Sequence, residues 1–138
     1  MTLFDVKGRL VKRTVIRYKV RWLDVSRSKL QFRVKQLLKP IWYCDVVFEE
    51  FPVFGSRMHM DFYNASKRIG VEVNGPQHEK FNPFFHNNSP QSFVKGIKRD
   101  LTKHSWCERN GIRLVEIIES DMDNLVEFYH RIQDCANS

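Results

Sequence analysis

Residues 58–78 read MHMDFYNASKRIGVEVNGPQH, two short β-rich runs around a polar turn at Asn64-Ala65-Ser66. Each run carries one acid, Asp61 in the first and Glu72 in the second. Side chains alternate along a strand, so Glu72 and Asn74 share one face while Val71 and Val73 share the other. The run closes on Gly75-Pro76-Gln77-His78. A hairpin that gathers Asp, Glu, Asn and His at one end of a sheet has the makings of a site.

Upstream, Val46 to Val53 predicts a further strand, with Phe54-Gly55-Ser56 as the turn into the one holding Asp61. Before it, Ser26 or Ser28 is placed to cap a helix whose stripe is Leu30, Val34, Leu37 and Leu38, ending before Pro40. Its other face would carry Lys29, Arg33, Lys35 and Lys39. Thr14 to Trp22 alternates between an apolar set (Thr14, Ile16, Tyr18, Val20, Trp22) and a basic one. This favours a strand, with a helix through Val11, Val15, Tyr18 and Trp22 as the alternative.

Downstream of His78 comes a loop rich in Asn, Pro and aromatics. Phe93 to Arg109 predicts a helix with Phe93, Ile97, Leu101 and His104 or Ser105 facing inward, stopped by Asn110-Gly111. Ile112 to Ile118 follows as a strand. Asp121 or Asp123 opens a last helix to about Asp134, striped by Leu125, Phe128 and Ile132. The expected fold is single-domain α/β: a mixed central sheet flanked by helices, in the order α-β-β-β-α-β-α over residues 26–138. Residues 1–25 form a basic N-terminal extension, a strand or hairpin.

A chain of 138 residues is one domain by length, and its 42% hydrophobic content is enough for a packed core. No run approaches the roughly 20 apolar residues of a membrane span. The opening MTLFDVKGRL lacks a signal-peptide apolar stretch, so a cytoplasmic or nucleoid location is expected. Cys44, Cys107 and Cys135 are odd in number and form no CxxC pair, which supports neither zinc nor a disulfide framework. The net charge of +7 calls for a polyanionic partner. Nucleic acid comes before a membrane surface, because no amphipathic membrane-binding helix accompanies the charge. Arg13, Arg17, Lys19 and Arg21 near the N-terminus, Lys29 and Arg33 on the first helix, and Lys98 on the second are the expected phosphate contacts.

Two carboxylates converging at about 4 Å repel by about 4 kcal/mol at an effective dielectric near 20. Asp61 and Glu72 together therefore need a proton or a cation. Both are hard oxygen donors, which suits Mg²⁺ or Mn²⁺ better than zinc. Such an ion can polarise a phosphodiester and activate water. In a basic protein, nucleic-acid phosphate is the matching substrate.

The stretches IGVEVNGPQH (69–78) and RDLTKHSWCERNGIRLVEI (99–117), set in this order of elements, resemble the PD-(D/E)XK nuclease superfamily. They are similar in particular to the branch of very short patch repair endonucleases and related phage homing endonuclease domains. The resemblance covers residues 26–118 and implies a restriction-endonuclease-like fold and a Mg²⁺- or Mn²⁺-dependent endonuclease acting on DNA, in the host cytoplasm if phage-encoded. It implies Asp61 as central metal ligand and Glu72 as the second acid, with Glu49 or Glu50 nearby; Glu50 is favoured, and at most one of them can serve, since neighbours on a strand point to opposite faces. Asn74 stands where the superfamily usually has Lys. His78 is then the candidate for proton transfer, Gln77 for orienting water or phosphate, and Asp100 and Lys103, one helical turn apart, for the cleft and the missing lysine's role. Phe81, Phe84 and Phe85 would stack on or wedge into DNA. The zinc cluster of the repair enzymes is missing from this sequence. A possible homodimer, and a non-catalytic nucleic-acid-binding module of the same fold, stay open.

Overall fold

The structure is a computed structural model and describes residues 1–74 and 90–137. After an N-terminal hairpin, β1 (Thr2–Phe4) and β2 (Leu10–Lys12), the order is α1 (Lys29–Trp42), β3 (Val47–Pro52), β4 (His59–Asn64), β5 (Ile69–Asn74), α2 (Pro90–Arg109), β6 (Arg113–Ile118) and α3 (Leu125–Asn137). The elements from α1 onward follow the expected order. Strands β3 to β6 form one mixed four-stranded sheet in chain order. The first two pairings are antiparallel, closed by short turns. β5 and β6 are parallel, and the longer connection carrying α2 is what such a pair requires. No helix among the described residues is long and apolar enough to cross a membrane.

Strand alternation divides the core between the two sheet faces. Val34, Leu38 and Trp42 of α1 and Phe128 and Ile132 of α3 pack with Phe62, Val71, Val115 and Ile117. On the other side Trp106 and Cys107 of α2 join Phe48, Phe51, Met60, Tyr63 and the N-terminal residues, Val15 fully and Leu3, Val6 and Val11 in part. The hairpin is therefore built into the second core. Trp106 Nε1 fixes it by donating to the Phe4 carbonyl at 2.7 Å. Gly70 packs so closely on the Met60 sulfur that a Cβ there would collide with it.

Several local expectations are corrected. Thr14–Trp22 is neither strand nor helix. Ile16–Tyr18 is a turn of 3-10 helix, and the segment meets the sheet through a bridge from Lys19 to Phe48, the Val20 amide on the Val47 carbonyl at 2.9 Å and the Tyr18 ring edge-on to Phe51. Val15 is buried and Ile16 is 74% exposed, the reverse of the predicted faces. Helix α1 starts at the Ser28 cap but runs through Pro40 to Trp42. Pro40 sits in the last turn, where the missing N–H leaves only the carbonyl of an exposed residue, Gln36, without its helical partner. Burial of Trp42 holds that turn. In α2, Ile97, Leu101, His104 and Ser105 are exposed, because only the C-terminal turn of this long helix reaches the core; the side chain of Phe93 lies outside the described residues. The last helix starts at Leu125, which is exposed, after a 3-10 segment Glu119–Asp123. Asn124, not an aspartate, accepts at that start, from the Glu127 amide at 3.1 Å.

Lys35 is the largest departure on α1: it is 1% exposed, on the core side of the helix and not on the basic one. Its ammonium pairs with Glu49 at 2.7 Å and donates to the carbonyls of Arg21 at 3.1 Å and Asp24 at 2.8 Å. A buried ammonium with three acceptors is satisfied, and removing it strands the Glu49 charge. Lys35→Met is expected to lower unfolding free energy by about 3–5 kcal/mol in urea melts, with Glu49→Gln in the same chain recovering part of the loss. A loss below about 0.5 kcal/mol would mean that Lys35 does not carry the anchoring described.

Candidate functional site

The pairing of Phe62 with Val71 ends the β4–β5 ladder. One step beyond it stand Asp61 and Glu72. On the other side of β4, Glu49 pairs with Phe62 and Phe51 with Met60, which sets Glu50 opposite Asp61. On the far side, Glu72 pairs with Glu116 of β6. Four acids thus occupy one level across the sheet.

The backbone is distorted at this level. Glu50 has φ 53°, in the left-handed region that a non-glycine residue in a strand rarely adopts. Phe48 and Phe51, three residues apart, consequently point into the same apolar cluster, and so do Met60 and Tyr63 around Asp61. Alternation slips by one in both strands at the two facing acids, while the pairing register is the same on either side of them. This corrects the expectation that Glu49 and Glu50 point to opposite faces. One nitrogen, Gln31 Nε2, donates to both, to Glu49 Oε2 and to Glu50 Oε1, each at 2.9 Å.

The two neighbouring acids nevertheless serve different ends. Glu49 is held by Lys35 and by the Ser26 hydroxyl at 2.6 Å. Among the described residues, Glu50 has Gln31 and a long contact to Arg27 at 3.7 Å, and its charge acts on Asp61. Asp61 Oδ2 accepts the Val73 amide at 2.7 Å. Burial holds the Asp61 carboxyl above its usual range, with Glu50 adding to the rise and the Val73 amide, Lys103 and Arg27 opposing it. Burial likewise pushes Glu72 up to about 7, reinforced by Asp61 and opposed by Lys103.

Lys103 reaches this centre from α2. Its ammonium lies 3.1 Å from Glu72 Oε2 and donates to the His59 carbonyl at 2.9 Å, and both Lys103 and Glu72 side chains are 15% exposed. The other oxygen, Glu72 Oε1, is buried with no hydrogen-bond partner among the described residues. A carboxylate oxygen without such a partner, next to a second half-buried acid, is short of positive charge. The donors are hard oxygens, so the pair fits Mg²⁺ or Mn²⁺. Among the described residues there is no ready-made group of three His, Cys, Asp or Glu side chains that could hold a metal ion. An ion here would take its remaining ligands from water or phosphate, as Mg²⁺ commonly does.

Asn74, Asp100 and His104 line a small cavity of about 70 Å³ together with Glu72, Lys103 and Glu116. The structure therefore brings together Asp61, Glu72, Glu50 and Lys103 and sets Asn74 and Asp100 at their border. Gln77, His78, Phe81, Phe84 and Phe85 lie outside the described residues. The basic candidates are spread out. Arg17, Lys19 and Arg21 line a groove of about 340 Å³ that runs down to Glu49 and Glu50. Arg13 stacks on Phe54 at 5.1 Å from the ring centre. Lys29 and Arg33 are exposed on α1 and Lys98 on α2.

Sequence reasoning missed Gln31, Arg27 and the pair His104–Glu116, whose Nε2 and Oε1 are 3.0 Å apart. Gln31 had a local signal: Ser28-Lys29-Leu30-Gln31 fits a capping box, and the Gln31 amide does donate to Ser28 Oγ at 3.1 Å. The sequence cannot say that its side chain turns to the acids of β3 instead. Of the cysteines, Cys44 is exposed and Cys107 buried, both free thiols. Burial pushes Cys107 up to about 12, which leaves it unreactive.

No family model matches this chain, and no solved structure does. It is similar to three viral proteins. Uncharacterized protein 033L of Invertebrate iridescent virus 3 is 38% identical over 66 residues, 48% of this chain and 34% of that protein. Uncharacterized protein 307L of Invertebrate iridescent virus 6 is 33% identical over 76 residues, 55% of this chain and 38% of its own. Uncharacterized protein 094L of Frog virus 3 is 32% identical over 66 residues, 48% of this chain and 43% of its own. The chain thus spans well under half the length of these relatives, whose names state no activity.

The raised acids make stability depend on pH in a definite direction. Between the ordinary glutamate value of 4.5 and about 7, folded Glu72 keeps its proton while the unfolded chain has lost it. Stability contributed by this group is therefore present below that window and is lost as pH rises through it, at up to about 1.4 kcal/mol per pH unit. Asp61 acts in the same sense. Urea melts from pH 4.5 to 8 in chelator should show the decline, and Glu72→Gln should flatten it. An unchanged slope in the variant would place the titrating group elsewhere.

Proposed function

We propose that this protein is a metal-dependent DNA endonuclease, with α1, the four-stranded sheet and α2 as a restriction-endonuclease-like core. The observation that carries the reading is the half-buried pair Asp61–Glu72, with Lys103 on one Glu72 oxygen and, among the described residues, no hydrogen-bond partner on the other. Asp61 and Glu72, with Glu50 at the rim, would hold Mg²⁺ or Mn²⁺. A bound ion of this kind polarises a phosphodiester and lowers the pKa of water.

The chain's own residues supply orientation and charge. The Val73 amide fixes the Asp61 carboxylate in place, and burial keeps its lone pairs from being spent on bulk water. Lys103, held by the His59 carbonyl and Glu72, presents a positive charge at the border of the site. It comes from the helix, where the superfamily pattern has a strand lysine and this chain has Asn74. That charge can orient the carboxylate and stabilise a phosphoryl oxygen that becomes more negative during attack. His78, four residues past β5 in sequence, is assigned the proton transfer, with Gln77 beside it. The exposed Arg and Lys side chains contact the DNA backbone and make binding fall steeply with salt. Action as a homodimer on DNA belongs to the same proposal.

A second reading has its own support: Lys103 already neutralises one oxygen of Glu72, and Asn74 replaces the motif lysine. A nucleic-acid-binding module without chemistry would keep the same basic surface. Calorimetry with Mn²⁺ separates the two, since absence of uptake at pH 8 would favour the module.

The direct test is a panel of linear, nicked, mismatched, flapped and four-way DNA incubated with Mg²⁺ or Mn²⁺ and mapped for cleavage positions. Asp61→Ala is expected to abolish cutting, and Lys103→Met to slow it by roughly 10²–10³-fold, the scale for losing one electrostatic stabiliser. Cleavage that persists undiminished in Asp61→Ala would sink the assignment. A metal-dependent rise in melting temperature, larger at pH 8 than at pH 5.5 and lost in Asp61→Ala, reads the same site without any activity.

A further inference from the structure

We infer that the loop Arg21–Arg27 is a fixed aliphatic wedge that parts stacked bases beside the acid centre. The inference rests on the nuclease reading and narrows its substrate to DNA that unstacks easily, at a mismatch, nick or branch.

Leu23 and Val25 are 82% and 81% exposed. A lone exposed aliphatic side chain is ordinary, but this pair is held outward by buried machinery. The Lys35 ammonium grips the Arg21 and Asp24 carbonyls from below while pairing with Glu49. Ser26 donates to the same Glu49 at 2.6 Å. The Asp24 amide closes a turn on the Arg21 carbonyl at 3.2 Å. The loop backbone is thus tied on both sides of Leu23 and just beyond Val25, so neither side chain can fold back onto the core without breaking bonds to a buried cation.

The surroundings select the partner. Residues 12–35 carry nine Lys or Arg and a single acid, Asp24. Arg17, Lys19, Arg21, Val25 and Arg27 share the groove that ends on Glu49 and Glu50. Arg27 lies 3.7 Å from Glu50, and Glu50 acts electrostatically on Asp61. A polyanion lying along the basic wall is led to the acids, and its phosphates would meet the loop tip on the way. Apolar side chains next to phosphate-binding ones are the equipment by which proteins unstack a base step, and the cost is least where stacking is already weak. An anionic lipid surface would also accept Leu23 and Val25. It would not use a groove floored by carboxylates.

The test uses DNA with 2-aminopurine, a base whose fluorescence rises on unstacking, placed beside a mismatch or branch point, with chelator present so that nothing is cut. The full chain should raise the fluorescence severalfold at saturation, and little on perfect duplex. Leu23→Ser/Val25→Ser should abolish the rise while the melting temperature and the salt-dependent binding seen by anisotropy are retained, since both residues are exposed. No rise with the wild-type chain at saturation, or an equal rise with the variant, overturns the wedge. So does binding to phosphatidylserine vesicles that displaces DNA and depends on Leu23 and Val25. Cleavage in Mn²⁺ without unstacking removes the wedge and leaves the nuclease reading standing. Unstacking without cleavage keeps the wedge and favours the binding module.

Discussion

Carboxylates standing side by side on neighbouring strands, most of them shielded from water, set the main constraint on this structure. Glu50, Asp61 and Glu72 lie at one level of β3, β4 and β5, with Glu49 next to them. Water cannot screen charges placed there, so the protein must supply protons, cations or donors. It uses Lys35 for Glu49 and Lys103 for Glu72, Gln31 for Glu49 and Glu50, and the Val73 amide for Asp61. These partners come from α1, α2 and β5. The site and the packing of both helices on the sheet are therefore one problem with one solution.

The compensation is uneven. Glu49 is fully engaged and serves as an anchor for the loop ahead of α1. Glu72 keeps one oxygen without a hydrogen-bond partner among the described residues, and burial raises both Glu72 and Asp61 above their ordinary range. The left-handed backbone at Glu50 turns an otherwise regular strand so that its acid faces that pair. Strain and unsatisfied polarity concentrate at the same few residues, as they do where a fold gives up stability for chemistry. Lys35 links the two parts of the surface, since the same ammonium that balances Glu49 also fixes the exposed loop carrying Leu23 and Val25.

The acid hairpin, the order of elements from α1 to α3 and the two acids themselves were legible in the sequence. Alternation and turn residues are local, and β5 was read to its end residues, Ile69 and Asn74. Basic and apolar residues were legible as kinds but not as places. Lys35 looked like one more cation on a solvated helix face, and Ile97 and Leu101 looked like core. Both errors come from assuming that polarity alone fixes which side of a helix is buried. A long helix whose described apolar side chains enter the core only at Trp106 and Cys107 leaves Ile97 and Leu101 outside.

The sequence by itself determined that this is an α/β chain of basic charge with Asp61 and Glu72 on adjacent strands, because period, turn chemistry and composition act over a few residues. Only the tertiary structure decided that Glu50 turns toward Asp61, that Lys103 rather than Asn74 stands beside Glu72, and that Lys35 lies beneath the Arg21–Arg27 loop. Each of those depends on register between strands and on how a helix crosses the sheet. Such relations join residues 11 to 31 positions apart in the chain, and no local pattern encodes them.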